Sequence, residues 1–144
     1  MELDDVERIA ARDHNLAVVA TSRADCSVQS SVVNAGVLQH PVTGLPVVGF
    51  VTYGRVKLSH LRNRPCATVT FRAGWEWAAV EGTVELAGPD DPMPDVDAER
   101  LRLLLREVFI AAGGGHDDWQ AYDRAMAEQR RVAVLLRPER VYGV

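Results

Sequence analysis

Segments with the composition of β-strands recur along this sequence, and turns of a few residues connect most of them. Each segment is rich in valine, threonine and small apolar residues, which favour extended backbone. Their ranges are 16–23, 26–38, 47–53, 66–74, 75–86 and 131–143. Short turns favour antiparallel pairing, because parallel neighbours need long crossover connections. The sequence therefore predicts a mainly β, α+β fold: a six-stranded antiparallel barrel, closed or nearly closed, with helices at its side.

Four other segments have the three- to four-residue spacing of apolar side chains that is typical of amphipathic helices. They are residues 3–13, 55–65, 96–112 and 116–130. Pro65 ends the second predicted helix, and the glycine run 113–115 ends the third. Residues 88–95 are a proline-rich connection, and the part of the chain beyond it is too short to fold alone. We therefore expect one domain, residues 1–144.

Charge and composition exclude several classes of protein. The formal charge is −4, whereas nucleic-acid-binding domains are usually strongly basic. No apolar run approaches the ~20 residues of a membrane span, and the first residues are too acidic for a secretory signal. Cys26 and Cys66 form neither a disulfide framework nor a metal-ligand spacing. We expect a cytoplasmic protein that binds no nucleic acid, no membrane and no metal.

The charges are unevenly distributed along the chain. Residues 26–75 contain no aspartate or glutamate but carry five cations: Arg55, Lys57, Arg62, Arg64 and Arg72. Lys57 is the only lysine of the chain, and it lies with Arg55 and Ser59 at a predicted helix start, where backbone amides favour anions. Arginine and lysine together can hold a phosphate from two sides. The segment predicts a local phosphate site, with a solvated basic helix as the alternative interpretation.

Three further motifs allow a structural and a functional interpretation. Trp75 and Trp77 alternate on a predicted strand, where they would face one side as core or as a wall beside a flat ring. The run 116–118, His-Asp-Asp, favours a helix N-cap at Asp117 or Asp118, because three successive residues cannot easily face one metal ion. Cys26 stands in a hairpin turn that usually prefers glycine, which implies a longer loop or local strain.

The sequence VTYGRVKLSHLRNRPCATVTF, followed by WEWAAVEGTVEL, resembles the cofactor-binding core of the pyridoxamine 5′-phosphate oxidase-like split β-barrel proteins. The matching positions are Lys57, Leu61, Pro65, Phe71, Glu81 and Gly82. The first hairpin and the last strand are also similar, so the resemblance covers nearly the whole chain. The segment AGGGHDDWQAYDRAMAEQRR resembles the actinobacterial B group of flavin/deazaflavin oxidoreductases, which use coenzyme F420.

This resemblance implies a homodimer with two cofactor sites at the subunit interface. It also implies that reduced coenzyme F420 donates a hydride to an electron-poor small-molecule acceptor, such as an enone, a quinone or an unsaturated lactone. Carried over by position, Arg55 and Lys57 would hold the cofactor phosphate, with Thr52 and Ser59 close enough to assist. Val32, Val33 and Asn34 would lie against the ring system, and Trp77 would reach the cofactor bound mainly by the other subunit.

The resemblance leaves alternatives open. The chain has Arg55-Val56-Lys57 where the FMN oxidases of the family have Ser-Arg-Lys, and a Trp-Glu-Trp run at 75–77 where they have Arg-Gln-Val. Both departures favour the deazaflavin branch over pyridoxamine-phosphate oxidase activity. An FMN-binding oxidase or reductase remains the first alternative, and a non-catalytic flavin or F420 carrier the second. Tyr53 and Tyr142 are the candidate proton donors.

A last set of expectations concerns the surroundings of the cofactor. If the resemblance to the F420-dependent branch holds, Arg62 and Arg64 are candidates to attract the acidic tail of coenzyme F420, with a solvated side chain as the alternative for Arg64. The connection 88–95 and the loop 113–116 are candidates to cover the pocket.

Overall fold

Seven strands and four helices make up the fold in the computed structural model, which describes all 144 residues. The helices are α1 (Leu3–Ala11), α2 (Arg55–Asn63), α3 (Ala98–Ala111) and α4 (Trp119–Glu128). The strands are β1 (Leu16–Ser22), β2 (Val28–Asn34), β3 (Gly36–Gln39), β4 (Pro46–Thr52), β5 (Cys66–Ala73), β6 (Glu76–Ala87) and β7 (Val132–Gly143). All pairings are antiparallel, in the order β2-β1-β5-β6-β7-β4-β3. The mainly antiparallel architecture is thus confirmed.

The predicted second strand, 26–38, is two strands, and this accounts for seven strands rather than six. The chain breaks at Ala35, whose N–H donates to the Asn15 carbonyl at 2.9 Å and whose carbonyl accepts from the Asn15 side-chain amide at 3.0 Å. Because Asn15 satisfies both backbone groups, Ala35 needs no neighbouring strand. β2 therefore pairs with β1, while β3 pairs with β4 at the opposite edge of the sheet. This crossing from edge to edge curls the sheet into a barrel.

Strand β4 and the first part of β7, residues 132–136, are buried on both faces. Val48 and Phe50 of β4 point into the barrel core, while Val47 packs in a second cluster that includes Leu104 and Val108 of α3. β7 alternates in the same way between the two clusters. Two-sided burial explains why β4 and residues 132–136 of β7 have nearly continuous apolar sequences. Helix α3 is thereby fixed against the outer wall of the barrel, beside the ends of β2 and β4.

Helix ends follow local chemistry. Asp118 caps α4 by accepting from the Ala121 N–H at 3.1 Å, which confirms the N-cap interpretation of the 116–118 run. Helix α1 ends at Ala11 rather than at residue 13, because His14 and Asn15 both have left-handed backbone, with φ of 57°. Gly36 lies so close to α3 that a Cβ there would be 1.9 Å from the Ala111 carbonyl oxygen. The end of α3 is therefore tied to the break between β2 and β3.

Two turns bear on the expectations from sequence, of which one is wrong and one is confirmed. Trp75 lies in the β5–β6 turn and is 96% exposed, so it does not share a strand face with Trp77. The β1–β2 connection is a five-residue loop, 23–27, in which Cys26 has a φ of 72°. Both predictions for this turn, a longer loop and local backbone strain at Cys26, are therefore correct.

The outward face of β1 and β2 has no helix over it. Four apolar side chains on it are exposed: Leu16, Val18, Val28 and Val32. Val18 and Val32 are direct cross-strand partners and Leu16 is the next outward residue on β1, so these three form one patch. Val28, in contrast, lies opposite Ser22 at the other end of the pairing. None of the four helices has the length and hydropathy required to cross a membrane.

Candidate functional site

A cavity of about 890 Å³ opens where the ends of β2 and β4 meet helices α2, α3 and α4. One end of the cavity is cationic and lies at the start of α2, and the other is apolar and lies against α3 and α4. Ten of its 19 lining residues are hydrophobic, and none is an aspartate or a glutamate. The cavity therefore combines an uncompensated positive charge with an apolar wall.

The cationic end is built by the transition from β4 into α2. Gly54 is the N-cap residue, and no side chain caps the helix. The Gly54 N–H donates to the Thr52 hydroxyl at 3.2 Å, and the first intrahelical bond runs from Leu58 N–H to the Gly54 carbonyl. The amides of residues 55–57 thus have no intrahelical acceptor. No acidic residue lies in this first turn, so an external anion can bind there.

Lys57 lines this end and has no carboxylate partner. Its ammonium lies 5.7 Å from the centre of the Phe50 ring, and the residue is half-buried. Burial lowers the pKa of the Lys57 amine below its ordinary value, because the charged form loses water and gains no counter-charge. A lysine held in this way favours binding of an anion.

A second cation of the cavity is Arg131, which the sequence analysis did not identify. Arg131 immediately precedes β7, and its guanidinium carbon Cζ lies 3.8 Å from the centre of the Tyr53 ring. It comes beside Tyr53 because Thr52 and Val132 are partners in the β4–β7 pairing. Residues 53 and 131 are far apart in sequence and lie in different predicted elements, so only the strand pairing could have revealed this contact.

Five of the eight predicted site residues line the cavity: Val32, Val33, Asn34, Thr52 and Lys57. Asn34 also uses its side-chain amide to donate to the His14 carbonyl at 2.8 Å. Thr52 is buried, with its hydroxyl held by the Gly54 N–H. The polar groups of these residues are therefore partly committed to shaping the rim of the cavity.

The other three predicted residues do not line it. Arg55 and Ser59 are exposed on α2. Each is two positions from Lys57, which places it roughly opposite Lys57 around the helix. Trp77 lies on β6 and packs edge-on against Tyr142, with ring centres 6.0 Å apart. Tyr53 lines the cavity, whereas Tyr142, the other candidate proton donor, does not.

Arg62 is paired with a carboxylate that is distant in sequence, although no acidic residue lies near it along the chain. Its guanidinium makes two hydrogen bonds to the Asp91 carboxylate, of 2.8 and 2.7 Å. This pair raises the pKa of Arg62 and anchors the 88–95 connection, which does not line the cavity. Arg64 donates to the Ser22 carbonyl at 3.4 Å. Neither arginine lines the cavity.

The apolar end is lined by Val108, Phe109, Tyr122 and Met126. The rings of Phe109 and Tyr122 lie 4.9 Å apart. The Tyr122 hydroxyl donates to the Leu105 carbonyl at 2.8 Å, and burial raises its pKa to about 12. Gly113 and Gly114, from the loop predicted to cover the pocket, also line it, and a Cβ at Gly114 would lie 2.6 Å from the Phe109 ring. This end is an apolar surface with two aromatic rings and is suited to a ring system.

No family model matches the sequence. Among solved structures, a pyridoxamine 5′-phosphate oxidase-related, FMN-binding protein from Nostoc punctiforme is similar at 15% identity, a TM-score of 0.64 and coverage of 96% of this chain and 80% of that one. An F420 reductase is similar at 18% identity, with a TM-score of 0.57 and 88% of both chains covered. A heme-binding protein from Mycobacterium smegmatis is 20% identical, with a TM-score of 0.59 over the whole of this chain and 54% of that one.

At these identities the comparisons establish the fold. The chain has the split β-barrel fold found in pyridoxamine 5′-phosphate oxidase-related, FMN-binding proteins, as the sequence predicted.

Proposed function

We propose that the cavity binds a flavin-like cofactor, with coenzyme F420 as the first candidate, and that the protein is an F420-dependent reductase. The observation that carries the proposal is the pairing, in one cavity, of an uncompensated cationic end with an apolar end that contains aromatic rings. A ligand made of a ring system and a phosphate has the same two parts. An F420 reductase and an FMN-binding protein among the structural neighbours support this class of ligand.

The residues present fit such a group. Lys57 and the uncapped amides of α2 supply donors and positive charge for a phosphate. Val32 and Val33 of β2 and the aromatic residues of the apolar end supply surfaces for the rings. When bound and reduced, a deazaflavin supplies a hydride to an electron-poor acceptor such as an enone, a quinone or an unsaturated lactone. The chain itself orients the reactants and excludes water from the apolar end.

The FMN-binding neighbour equally supports the first alternative, an FMN-dependent oxidase or reductase. The heme-binding neighbour supports a second, a non-catalytic carrier of a planar cofactor. The Arg55-Val56-Lys57 and Trp-Glu-Trp sequences favour coenzyme F420 over FMN, for the reasons given by the family resemblance.

We also propose that two copies assemble through the uncovered face of β1 and β2. Val18 and Val32 are 42% and 65% exposed on this face, and burial of exposed apolar side chains favours association. Val32 also lines the cavity, so the second copy would complete the site, and Trp77 would reach the partner's cofactor. Val18→Asp should yield monomers by light scattering, while Val42→Asp, at an equally exposed valine in the 40–45 turn, should leave dimers. Monomeric wild-type protein would overturn this assembly.

The central test is a spectroscopic titration of the purified protein with coenzyme F420 and with FMN. We expect wild type to bind coenzyme F420, Lys57→Ala to bind at least about 10-fold more weakly, and the control Arg124→Ala to bind like wild type. Arg124 is a matched control because it is exposed on α4 and forms no ion pair. Preference for FMN would favour the first alternative. Failure of both ligands, or an unchanged affinity in Lys57→Ala, would contradict the proposed site.

A turnover assay separates the reductase from the carrier. Reduced coenzyme F420 should be oxidised in the presence of a panel of quinones, enones and unsaturated lactones, at a rate that depends on the acceptor. Binding without acceptor-dependent oxidation would favour the non-catalytic carrier.

A further inference from the structure

We propose that Arg131, rather than Arg55, is the second cation of the phosphate site, and that it acts with Lys57 on the phosphate ester of a flavin-like ligand. The inference rests on the proposed function, because it assigns a residue to that same cavity. It replaces the assignment obtained from sequence position, since Arg55 is exposed and does not line the cavity.

The backbone around Arg131 is fixed by the turn from α4 into β7. Arg130 has left-handed backbone, with a φ of 50°, and this conformation reverses the chain at the end of the helix. The Arg131 N–H then donates to the Met126 carbonyl at 3.0 Å. Val132, the next residue, pairs with Thr52 at the end of β4. Arg131 is thereby held beside the β4–α2 transition that presents the uncapped amides and Lys57.

The side chain of Arg131 is also held in place. Its guanidinium stacks on the Tyr53 ring at 3.8 Å, and its Nε donates to Oε1 of Gln129 at 2.8 Å. The two terminal nitrogens have no partner within the chain. A guanidinium fixed at Nε and on one face loses little freedom when its remaining donors bind a ligand.

The surrounding charges distinguish Arg131 from its basic neighbours. Arg130 pairs with Asp90 at 2.6 Å, and Arg62 pairs with Asp91. Arg131 has no carboxylate partner, and no carboxylate lines the cavity. A phosphate ester would supply the negative charge that Arg131 does not find within the protein. A planar guanidinium can hold two oxyanion oxygens, whereas Lys57 contributes a point charge, so the two residues play complementary parts.

The test compares ligands that share a ring but differ in the phosphate. FMN is paired with riboflavin, and coenzyme F420 with its ribityl deazaflavin, which lacks the phosphate and the tail. Arg131→Met, which keeps an apolar stem over Tyr53, should weaken binding of the phosphorylated member of a pair by about 10- to 100-fold and leave the other within about 2-fold. Arg131→Lys should recover part of the loss. The control Arg130→Met removes the adjacent cation and should bind both members like wild type.

Three results with the variants would overturn the assignment. They are an unchanged affinity of Arg131→Met for the phosphorylated ligands, an equal loss for both members of a pair, or the same loss in Arg130→Met. Calorimetry with inorganic pyrophosphate separates this inference from the proposed function. If wild type binds pyrophosphate, Arg131→Met does not, and wild type binds neither coenzyme F420 nor FMN, then the anion site is supported and the flavin-like cofactor is contradicted. Wild type that binds no phosphate compound would overturn both.

Discussion

The arginines between α3 and α4 and the cations of the cavity occupy opposite electrostatic surroundings. Arg102 and Arg106 both donate to the Asp123 carboxylate, at 2.8 and 2.9 Å. Arg102 also pairs with Glu99. In contrast, Lys57 and Arg131 face a cavity without any carboxylate. Positively charged residues are therefore paired with carboxylates in one region and have no carboxylate partner in the other.

The two regions differ in what their charges do for stability. The paired arginines lower the pKa of Asp123 from its ordinary 3.8 to about 2, because the carboxylate is favoured in the folded state. Burial lowers the pKa of Lys57, because its charge is disfavoured there. The charges between the helices stabilise the fold, whereas the charge in the cavity opposes it. A charge kept at a cost to stability is a mark of a binding site.

The largest expected effect comes from neutralising the cations of the cavity with a carboxylate of the chain itself, which removes the difference between the two regions. Tyr53→Glu places an acid beside Arg131, in the lining of the cavity that Lys57 also lines, so the cationic end acquires an internal carboxylate. We expect affinity for coenzyme F420 or FMN to fall by more than about 100-fold in titrations, since a negative charge also repels the phosphate. Tyr53→Gln, which removes only the ring, should lose far less. Equal losses in the two variants would show that charge is not the cause.

Removing the open charge should affect binding and stability in opposite directions. Lys57→Met should bind the cofactor about 10- to 100-fold more weakly, while its free energy of unfolding at pH 7 should increase, because a half-buried unpaired cation is lost. The gain should shrink at high pH, because the folded-state pKa of Lys57 lies below its unfolded value and wild type gains stability as pH rises between the two. Denaturant unfolding measures this, and a destabilised variant would contradict it.

The paired region should respond in the reverse sense. Asp123→Asn removes the shared partner of Arg102 and Arg106, so we expect the free energy of unfolding at pH 7 to fall by about 1 kcal/mol, with cofactor affinity unchanged. The depressed pKa of Asp123 means that its contribution is present above about pH 4 and disappears as pH falls towards 2. The difference between variant and wild type in urea unfolding should therefore vanish over that range. A difference independent of pH would point to packing instead.

The smallest expected effect lies outside both regions and supplies a reference for them. Cys26 is exposed, with a left-handed φ of 72° in the 23–27 loop. Cys26→Gly relieves this strain at the expense of backbone entropy in the unfolded chain, so we expect a net stabilisation of about 0.5 kcal/mol. Cofactor binding should not change. Thermal unfolding checks the first expectation, and a lower melting temperature would contradict it.

The sequence was most informative where a local pattern decides the structure. Strand composition located the sheet, Asp118 marked the start of α4, and the uncompensated Lys57 marked the cationic end of the cavity. Each signal lies within a few residues, so it can be read along the chain.

The sequence was least informative where distant segments meet. The break at Ala35 depends on hydrogen bonds with Asn15, twenty residues earlier, which donates one and accepts the other. The pairing of Arg62 with Asp91 and the arrival of Arg131 beside Tyr53 depend on the order of strands in the sheet. An acid-free stretch of sequence is therefore not an acid-free volume. Which cations remain without a carboxylate partner is therefore determined by the fold.

The passage of the chain through Ala35 also bears on how fast a ligand can exchange. β2 and β3 lie at the two edges of the sheet, and no backbone ladder joins β2 to β4 across the cavity. The barrel therefore has a seam that can widen without breaking a ladder of backbone hydrogen bonds. We expect ligand entry and release at this seam to require local fluctuations rather than unfolding of the barrel. Residence time in the cavity should then vary independently of the free energy of unfolding of the barrel.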